Sequence, residues 1–476
     1  MARINTNVGA VIAQRHLNSS FRALGQTMER LSTGLRINHG KDDPAGLIVS
    51  ERLRSEVSAV SQAIANTQRA SLVIATTEGA LDEAAALLRD IQELIIEAAN
   101  EGAFSDEEIR ANQLQVDSAI ASIERIANST TFAGRYLLNG SLDYITSGVD
   151  TTQITALAVN AAQFGTRDYI PVTVTVATSA QYAELYFRAG ALTSSVTIEI
   201  QGNLGTTTIS FGSGMTASQM VAGINAVSDS TGVVAELSAN PTSGFVIRSE
   251  QLGSKQFVSI QTLPGSGSFD LTNRDGLADM REYGRDAHAT VNGTACIGDG
   301  NTLTSKTSTL DIELTLAQDF GEGTVNFAIT DGGSLFQIGP RVNTNLQVNL
   351  GVQSIAPSRL GNAGIGFLSQ LRTGEEYSLI SGKYAEASRI IDEAIDQISL
   401  LRGRLGAFER NTLETNMNQL GITMENLTSA ESSIRDADFA YETSRLTRNQ
   451  VLVNAGAAAL ALANQTPQLV LQLLGG

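Results

Sequence analysis

The sequence has little of what enzymes, metal proteins and nucleic-acid binders are built from. One cysteine, Cys296, stands among 476 residues, so no intrachain disulfide can form and a thiolate zinc site would lack ligands. Tryptophan is absent and aromatic residues make up 5 %, thin for a compact enzyme core. The three histidines, His16, His39 and His288, are far apart and none has metal-ligand spacing. Basic residues are outnumbered 32 to 49, for a net charge of -17 and a pI near 4.7. That balance excludes a general binder of nucleic acid or anionic membrane, because phosphate needs a cationic surface. No run approaches the ~18 to 20 apolar residues of a membrane helix; the longest, Ala455 to Ala463, is short and mostly alanine. The N-terminus MARINTNVGAVIAQRH has no continuous apolar h-region, so it does not read as a cleavable signal. On these grounds alone the chain reads as cytoplasmic.

Catalytic motifs are also missing. There is no H-E-x-x-H, no G-x-x-x-x-G-K-[ST] and no G-x-S-x-G. The glycines 361, 364 and 366 do not follow G-x-G-x-x-G spacing. His288 lies two residues from Asp286, but Arg281, Glu282 and Arg285 around them predict a solvated charged loop. Cys296 has no basic neighbour to activate it and is expected to be a buried strand residue. No cofactor is implied.

What is present is organised by proline. The seven prolines stand at 44, 171, 241, 264, 340, 357 and 467, leaving two long flanks free of a residue that removes a helical hydrogen bond and clashes with the preceding turn. Within those flanks apolar residues recur at alternating steps of 3 and 4. The series are Leu17, Phe21, Leu24, Met28, Leu31, Leu35; Leu81, Ala84, Leu88, Ile91, Ile95, Ala98; Val116, Ile120, Ile123, Ala127; Ile391, Ala394, Ile398, Leu401, Leu405, Phe408; and Leu413, Met417, Leu420, Met424, Leu427. This spacing keeps one narrow seam toward a partner helix, as in a coiled coil. Gly40 to Pro44 offers a helix stop, an acidic cap and a first-turn proline. Ser105 with Glu108 predicts a capping box. A helix from about 45 to 100 would be roughly 80 Å long.

Between about 166 and 332 the period changes to 2. Val172, Val174, Val176, then Val196, Ile198, Ile200, then Leu310, Ile312, Leu314, Leu316, then Val325, Phe327, Ile329 read as half-buried strands. Asn292-Gly293 predicts a tight hairpin turn, and Asn139-Gly140 a second one. A helical stretch from Ala217 to Val227 interrupts the strands, and Leu346, Val348, Leu350 read as one more. Charge is segregated too. Residues 1 to 40 carry five arginines against Glu29, a net +4, whereas 437 to 476 balance to 0, leaving -21 for the rest. Ends of low negative charge with an apolar seam suit packing in an assembly, while the acidic remainder keeps the outside soluble.

The expected fold is therefore a mainly α coiled-coil rod built from both termini, with an inserted β-rich (α+β) outer domain. The terminal residues carry a resemblance as well. Ile4-Asn5-Thr6-Asn7, Leu31-Ser32-Thr33-Gly34-Leu35-Arg36-Ile37-Asn38 and Lys41-Asp42-Asp43-Pro44-Ala45-Gly46 resemble the N-terminal signature of bacterial flagellin. Asn426-Leu427-Thr428-Ser429-Ala430, Ile434-Arg435-Asp436-Ala437-Asp438 and Ala463-Asn464-Gln465-Thr466-Pro467 resemble its C-terminal signature. The likeness covers roughly 1 to 150 and 370 to 476, with Phe336 to Gly339 extending it backwards and a weaker echo around Ala217 to Val233.

The resemblance implies a filament subunit for swimming motility, divided into an inner pair of terminal helices (1–43 and 437–476), a helical rod (44–165 and 333–436) and an outer insert (166–332) of one or two subdomains. It implies filament-interface positions at Leu17, Phe21, Leu24, Met28, Leu31, Leu35, Leu420, Leu427, Ile434, Leu446, Val453 and Leu460, and ends that are disordered before assembly. It implies partners: further copies of the chain, hook-associated and cap proteins, an export chaperone on the C-terminal segment, and the type III export apparatus. No nucleic acid and no membrane is implied. Export without a cleaved signal would place the protein in the extracellular filament and overturn the cytoplasmic reading. Flagellins detected by the vertebrate Toll-like receptor carry a stretch resembling Q-R-V-R-E-L whose first arginine is a contact. Here Arg89-Asp90-Ile91-Gln92-Glu93-Leu94 puts Asp90 at that position, with Arg89 one residue and about 100° away. The runner-up readings are the hook-filament junction protein, which shares the architecture, and an insert that serves as a surface adhesin or glycan-binding module. The insert's many Ser and Thr residues are equally compatible with O-glycosylation and with ordinary exposed strands.

Overall fold

The computed structural model describes residues 6–165, 167–238, 244–307 and 309–474, with side chains described as far as 465. Ile4 and Asn5 of the first terminal motif lie outside the described residues, as do the side chains of Thr466 and Pro467 in the last. The helices are α1 (Val8–Thr33), α2 (Pro44–Ala98), α3 (Asp106–Ser129), α4 (Ala217–Asn225), α5 (Ser228–Thr231), α6 (Tyr384–Phe408), α7 (Thr415–Arg435) and α8 (Phe439–Leu474). Strands fill the middle of the chain. Helical ends thus flank a strand-rich centre, as the change of period predicts. The chain divides into two units, one of residues up to Arg69 with Gln337–Leu346 and Arg410 onward, the other of Ala70–Phe336 with Gln347–Glu409.

The first unit is built from helices whose ends are chemically marked. The Asn7 side chain caps α1 by accepting from the Ala10 amide at 3.0 Å, and Gly34 ends it in the left-handed conformation, φ 73°, with its N–H bonded to the Arg30 carbonyl. Asp43 Oδ1 accepts from Gly46 N at 2.9 Å, so Pro44 opens α2 at the first helical position, where its missing N–H costs nothing. The two chain ends are joined backbone to backbone: Leu35 bridges Asp436, Arg36 N donates to Arg435 O at 2.7 Å and Ala437 N to Gly34 O at 2.9 Å. Val60, Ala63 and Leu420 form a small core with Ile64, Met424 and Leu427 against it.

The second unit holds the densest helical seam. Every residue of the 81 to 98 and 116 to 127 series, and Ile391 to Leu405 of the α6 series, is at most 3 % exposed, as a 3.5-residue repeat requires when each turn meets a partner. The capping box forms as expected: Ser105 accepts from Glu108 N, and the Glu108 carboxylate takes the Ser105 amide at 2.8 Å. These contacts hold the Glu108 carboxyl below its ordinary range.

Two sheet pairs follow. In the first, a five-stranded sheet (in spatial order Thr294–Ala295, His288–Val291, Ile170–Thr178, Gly323–Gly332, Tyr144–Ser147) packs with a four-stranded one (Ile297–Asp299, Thr302–Lys306, Leu310–Leu316, Ile154–Ala162). The alternating valines 172, 174 and 176 and Ile312, Leu314 and Phe327 fill the space between. The strand that enters, Tyr144–Ser147, pairs with the one that leaves, Gly323–Gly332, so that Tyr144 faces Gly332. In the second pair, two four-stranded sheets with α4 enclose Phe187, Phe245, Met220 and Ile224, and Phe187 stacks on Phe269 at 4.5 Å between centroids.

Three sequence expectations need correction. Asn292-Gly293 does turn a hairpin between Val291 and Thr294, with φ 49° and 79°, but Asn139-Gly140 does not. The early hairpin turns at Ala133-Gly134, φ 50° and 81°, between Thr131–Phe132 and Arg135–Tyr136. Leu137 and Leu138 are then drawn into the core, 2 % and 0 % exposed, and Asn139 only closes a local turn onto Ser141 N at 3.0 Å. Leu346 sits in a 3₁₀ turn and the strand starts at Gln347, because Ile338 N and Gly339 N both donate to the Leu346 carbonyl. Cys296 is half-buried, not buried, at the break between the strands Thr294–Ala295 and Ile297–Asp299; burial pushes its thiol above the ordinary range.

Candidate functional site

The feature most unlike an ordinary soluble surface is the pair formed by α1 and α8. The helices run antiparallel, since Asn7 reaches the Ala463 carbonyl at 2.7 Å while Arg30 meets Glu442 at 3.1 Å. Leu17, Leu24 and Leu31 are half-buried on α1, as are Leu446, Val453 and Leu460 on α8. Gly456 permits close approach: a Cβ there would lie 3.2 Å from Leu17 Cδ1. Phe21 and Met28 stand to one side, 52 % and 56 % exposed. Their period-3.5 spacing reads as one seam with the leucines, but the intrachain pair uses only part of it. Val8, Val11 and Ile12 on α1, and Phe439, Tyr441, Val451, Leu452 and Leu462 on α8, are exposed too.

The other expected interface positions are placed elsewhere in the same unit. Leu35 is half-buried at the bridge to Asp436. Leu420 is 7 % exposed and Leu427 packs on the core it shares with Val60. Ile434 is half-buried and its carbonyl takes Arg36 Nε at 3.1 Å. In the other unit, Arg89, Asp90 and Glu93 lie exposed on α2 with Leu94 half-buried, and the intervening Gln92 donates to Asp392 at 2.7 Å.

Sequence reasoning passed over the polar residues of the pair. Thr27, Glu442 and Asn449 are 2 %, 3 % and 8 % exposed. Asn449 Nδ2 donates to Thr27 Oγ1 at 3.0 Å, which itself donates to the Ala23 carbonyl. The available signal is positional: each lies three or four residues from a seam apolar residue, where a solvated side chain has no room.

No catalytic constellation forms from the residues singled out earlier. His288 is exposed on its strand, and Asp286 accepts from Ser254 N at 2.8 Å and Gly300 N at 2.9 Å instead. Burial works to raise the Asp286 carboxyl, and its hydrogen bonds from Ser254 and Gly300 outweigh that, leaving it below the ordinary range. Burial pushes the Tyr144 hydroxyl up to about 12; it accepts the Ala162 amide at 2.9 Å, a structural role. Among the described residues no group of three or more His, Cys, Asp or Glu is placed to hold a metal, and no helix is long and apolar enough to cross a membrane.

Comparison with known proteins gives this arrangement a context. Residues 4–143 match the bacterial flagellin N-terminal helical region, 388–474 its C-terminal helical region, and 196–251 the flagellin hook IN motif. The chain is 30 % identical to a flagellin of Salmonella typhimurium and 30 % identical to the B-type flagellin of Pseudomonas aeruginosa, each alignment covering 99 % of both chains. The flagellar junction protein FlgL from Legionella pneumophila aligns over 81 % of this chain and 99 % of its own at 14 % identity, with a TM-score of 0.29, too low to bear on the fold. With helical ends that pair across the whole sequence, and full-length relatives that share them, the chain belongs to the bacterial flagellin family.

Proposed function

We propose that the α1/α8 pair is the surface through which copies of this chain, a structural subunit of the flagellar filament, polymerise. One observation carries the assignment: a single chain leaves Phe21, Met28, Val451 and Leu452 exposed on this pair although burying each is worth about 1.5 to 3 kcal/mol. A second copy is the natural cover, since the pair has apolar stripes on both helices and the terminal segments hold little of the chain's negative charge. In this scheme residues 1–43 and 437–476 form the inner layer, the helices of 44–165 and 333–436 surround it, and 166–332 faces outward together with the strands Tyr144–Ser147 and Ile154–Ala162 that pair with it.

The rest of the assignment is of the same kind. The subunit leaves the cell by the flagellar type III apparatus without a cleaved signal, with a chaperone on its C-terminal segment until assembly, and meets hook-associated and cap proteins at the filament's ends. We read it as a structural subunit and not an enzyme, in keeping with the family to which it belongs. The test is truncation. Protein lacking 437–476 should stay monomeric under polymerising conditions, as read by sedimentation and electron microscopy, whereas the full chain should give smooth helical filaments. Filaments from the truncated protein would refute the assignment of the interface.

A further inference from the structure

The best-buried side chains of the α1/α8 pair are polar, which reverses the usual order of a helix seam. Thr27 is the buried residue of α1, and Glu442 and Asn449 are the buried ones described on α8, while the seam leucines are only half-buried. Arg30 Nη1 meets Glu442 Oε1 at 3.1 Å with side chains 14 % and 4 % exposed, and Arg445 approaches the same oxygen at 3.5 Å. Among the described residues Glu442 Oε2 and Arg30 Nε are buried without a partner. An ion pair so incompletely satisfied is a poor device for stability, because desolvation offsets much of its Coulomb gain. What such a pair does supply is a penalty for every arrangement that separates its members.

The rest of the seam has little to choose between arrangements. From Ala455 to Ala463 the sequence is AGAAALALA, seven small residues in nine, so apart from Gly456 against Leu17, whose place Val453 or Leu460 takes after a one-turn slip, shape selects weakly along this stretch. The polar groups break this degeneracy. A slip of three residues one way brings Arg30 opposite Arg445 and Glu442 opposite Thr33, and the other way Arg30 opposite Phe439 and Glu442 opposite Thr27; in both, Glu442 loses Arg30 and keeps only Arg445 of its own helix. We infer that Arg30–Glu442 and Thr27–Asn449 are a register lock: positioning residues that admit one axial alignment of α1 against α8 and reject the alignments one turn away. The inference rests on the proposed assembly surface, because a slip of one turn moves the exposed Val451 and Leu452 by about 5.4 Å relative to Phe21 and Met28, and a filament repeats that error in every subunit.

Disulfide trapping in the full-length chain, with Cys296→Ala to remove the native thiol, reads the register directly. Leu17→Cys with Gly456→Cys reports the native alignment, since a Cβ at 456 lies 3.7 Å from the Leu17 Cα. Leu17→Cys with Val453→Cys or Leu460→Cys reports the slipped ones. With the lock intact the native bond should form at least about tenfold faster than either slipped bond. In the apolar double variant Arg30→Met with Glu442→Leu, which keeps the volume and removes the buried charges, native and slipped bonds should form at comparable rates. The shape-preserving Glu442→Gln should fall between. Exclusive native bonding in both variants would overturn the lock. Sedimentation of the same samples separates the two ideas: a chain with native register that never polymerises refutes the assembly surface alone, whereas normal filaments from a chain with scrambled register refute the lock's role in assembly.

Discussion

Gln113 Oε1 accepts the amide of Leu379 at 2.7 Å while its Nε2 donates to the Leu371 carbonyl at 2.9 Å. The side chain is 1 % exposed and thus serves as a backbone surrogate between α3 and the irregular segment that precedes α6. Asp117, one turn on, takes Gln113 Nε2 and the Thr373 amide, both at 2.9 Å. Gln113→Ala removes partners from a buried N–H and a buried carbonyl at once and opens a cavity. The expected loss is about 2 to 4 kcal/mol, measured as a lower urea midpoint of the full chain, with Asn112→Ala on the same helix as the milder control.

A charge in the terminal seam should act on assembly. Leu31 is half-buried in the α1/α8 pair and Leu427 on the core with Val60; Asp at either position places a carboxylate where a helix packs, a cost of roughly 3 kcal/mol or more. Polymerisation of Leu31→Asp should be lost in a sedimentation assay. Asp in place of the exposed Thr206 of the insert should polymerise like the parent.

Asp286 makes an acid-side prediction. Its carboxyl lies below the ordinary range because hydrogen bonds from Ser254 and Gly300 outweigh burial. A lowered folded-state pKa adds stability that is complete above the unfolded value, about 3.9, and is lost as pH falls through the folded value. Asp286→Asn should therefore be less stable than the parent at pH 6, and the difference should shrink at pH 3. Paired urea titrations at the two values check the sign.

Recognition by the vertebrate flagellin-sensing Toll-like receptor should be weak. Asp90 occupies the position that the resemblance gives to a contact arginine, and it is exposed on α2 beside Arg89 and Glu93. A reversed charge meets the partner's acceptor with repulsion, which costs more than a missing charge. In a receptor reporter assay Asp90→Arg should gain signal over the parent; equal signal from both would show that this contact does not govern recognition.

The legible parts of the fold were those with a strict period. The series Leu81 to Ala98 and Val116 to Ala127 are buried without exception because a helix touched on one face leaves its imprint at every turn, and the valines 172, 174 and 176 alternate for the matching reason in a sheet. The early hairpin was misplaced because Asn139-Gly140 has the stronger local turn chemistry, yet burial of Leu137 and Leu138 outweighs it and leaves the turn to Ala133-Gly134. At the candidate interface the leucines were visible and the lock was not. Arg30 counts in the sequence as one more surface cation, and only the fold, which brings the buried carboxylate of residue 442 beside it, turns it into a half-buried partner.

The pairing of Tyr144 with Gly332 makes the whole stretch between them a side circuit that leaves the chain after α3 and returns at the same place, all within one unit. The entropy of closing such a circuit rises only logarithmically, by about 0.6 kcal/mol for each doubling of its length. The host therefore hardly senses how much chain is threaded through the gap. A larger, smaller or wholly foreign cargo could be exchanged at this socket without renegotiating the helices, provided that its first and last strands still pair.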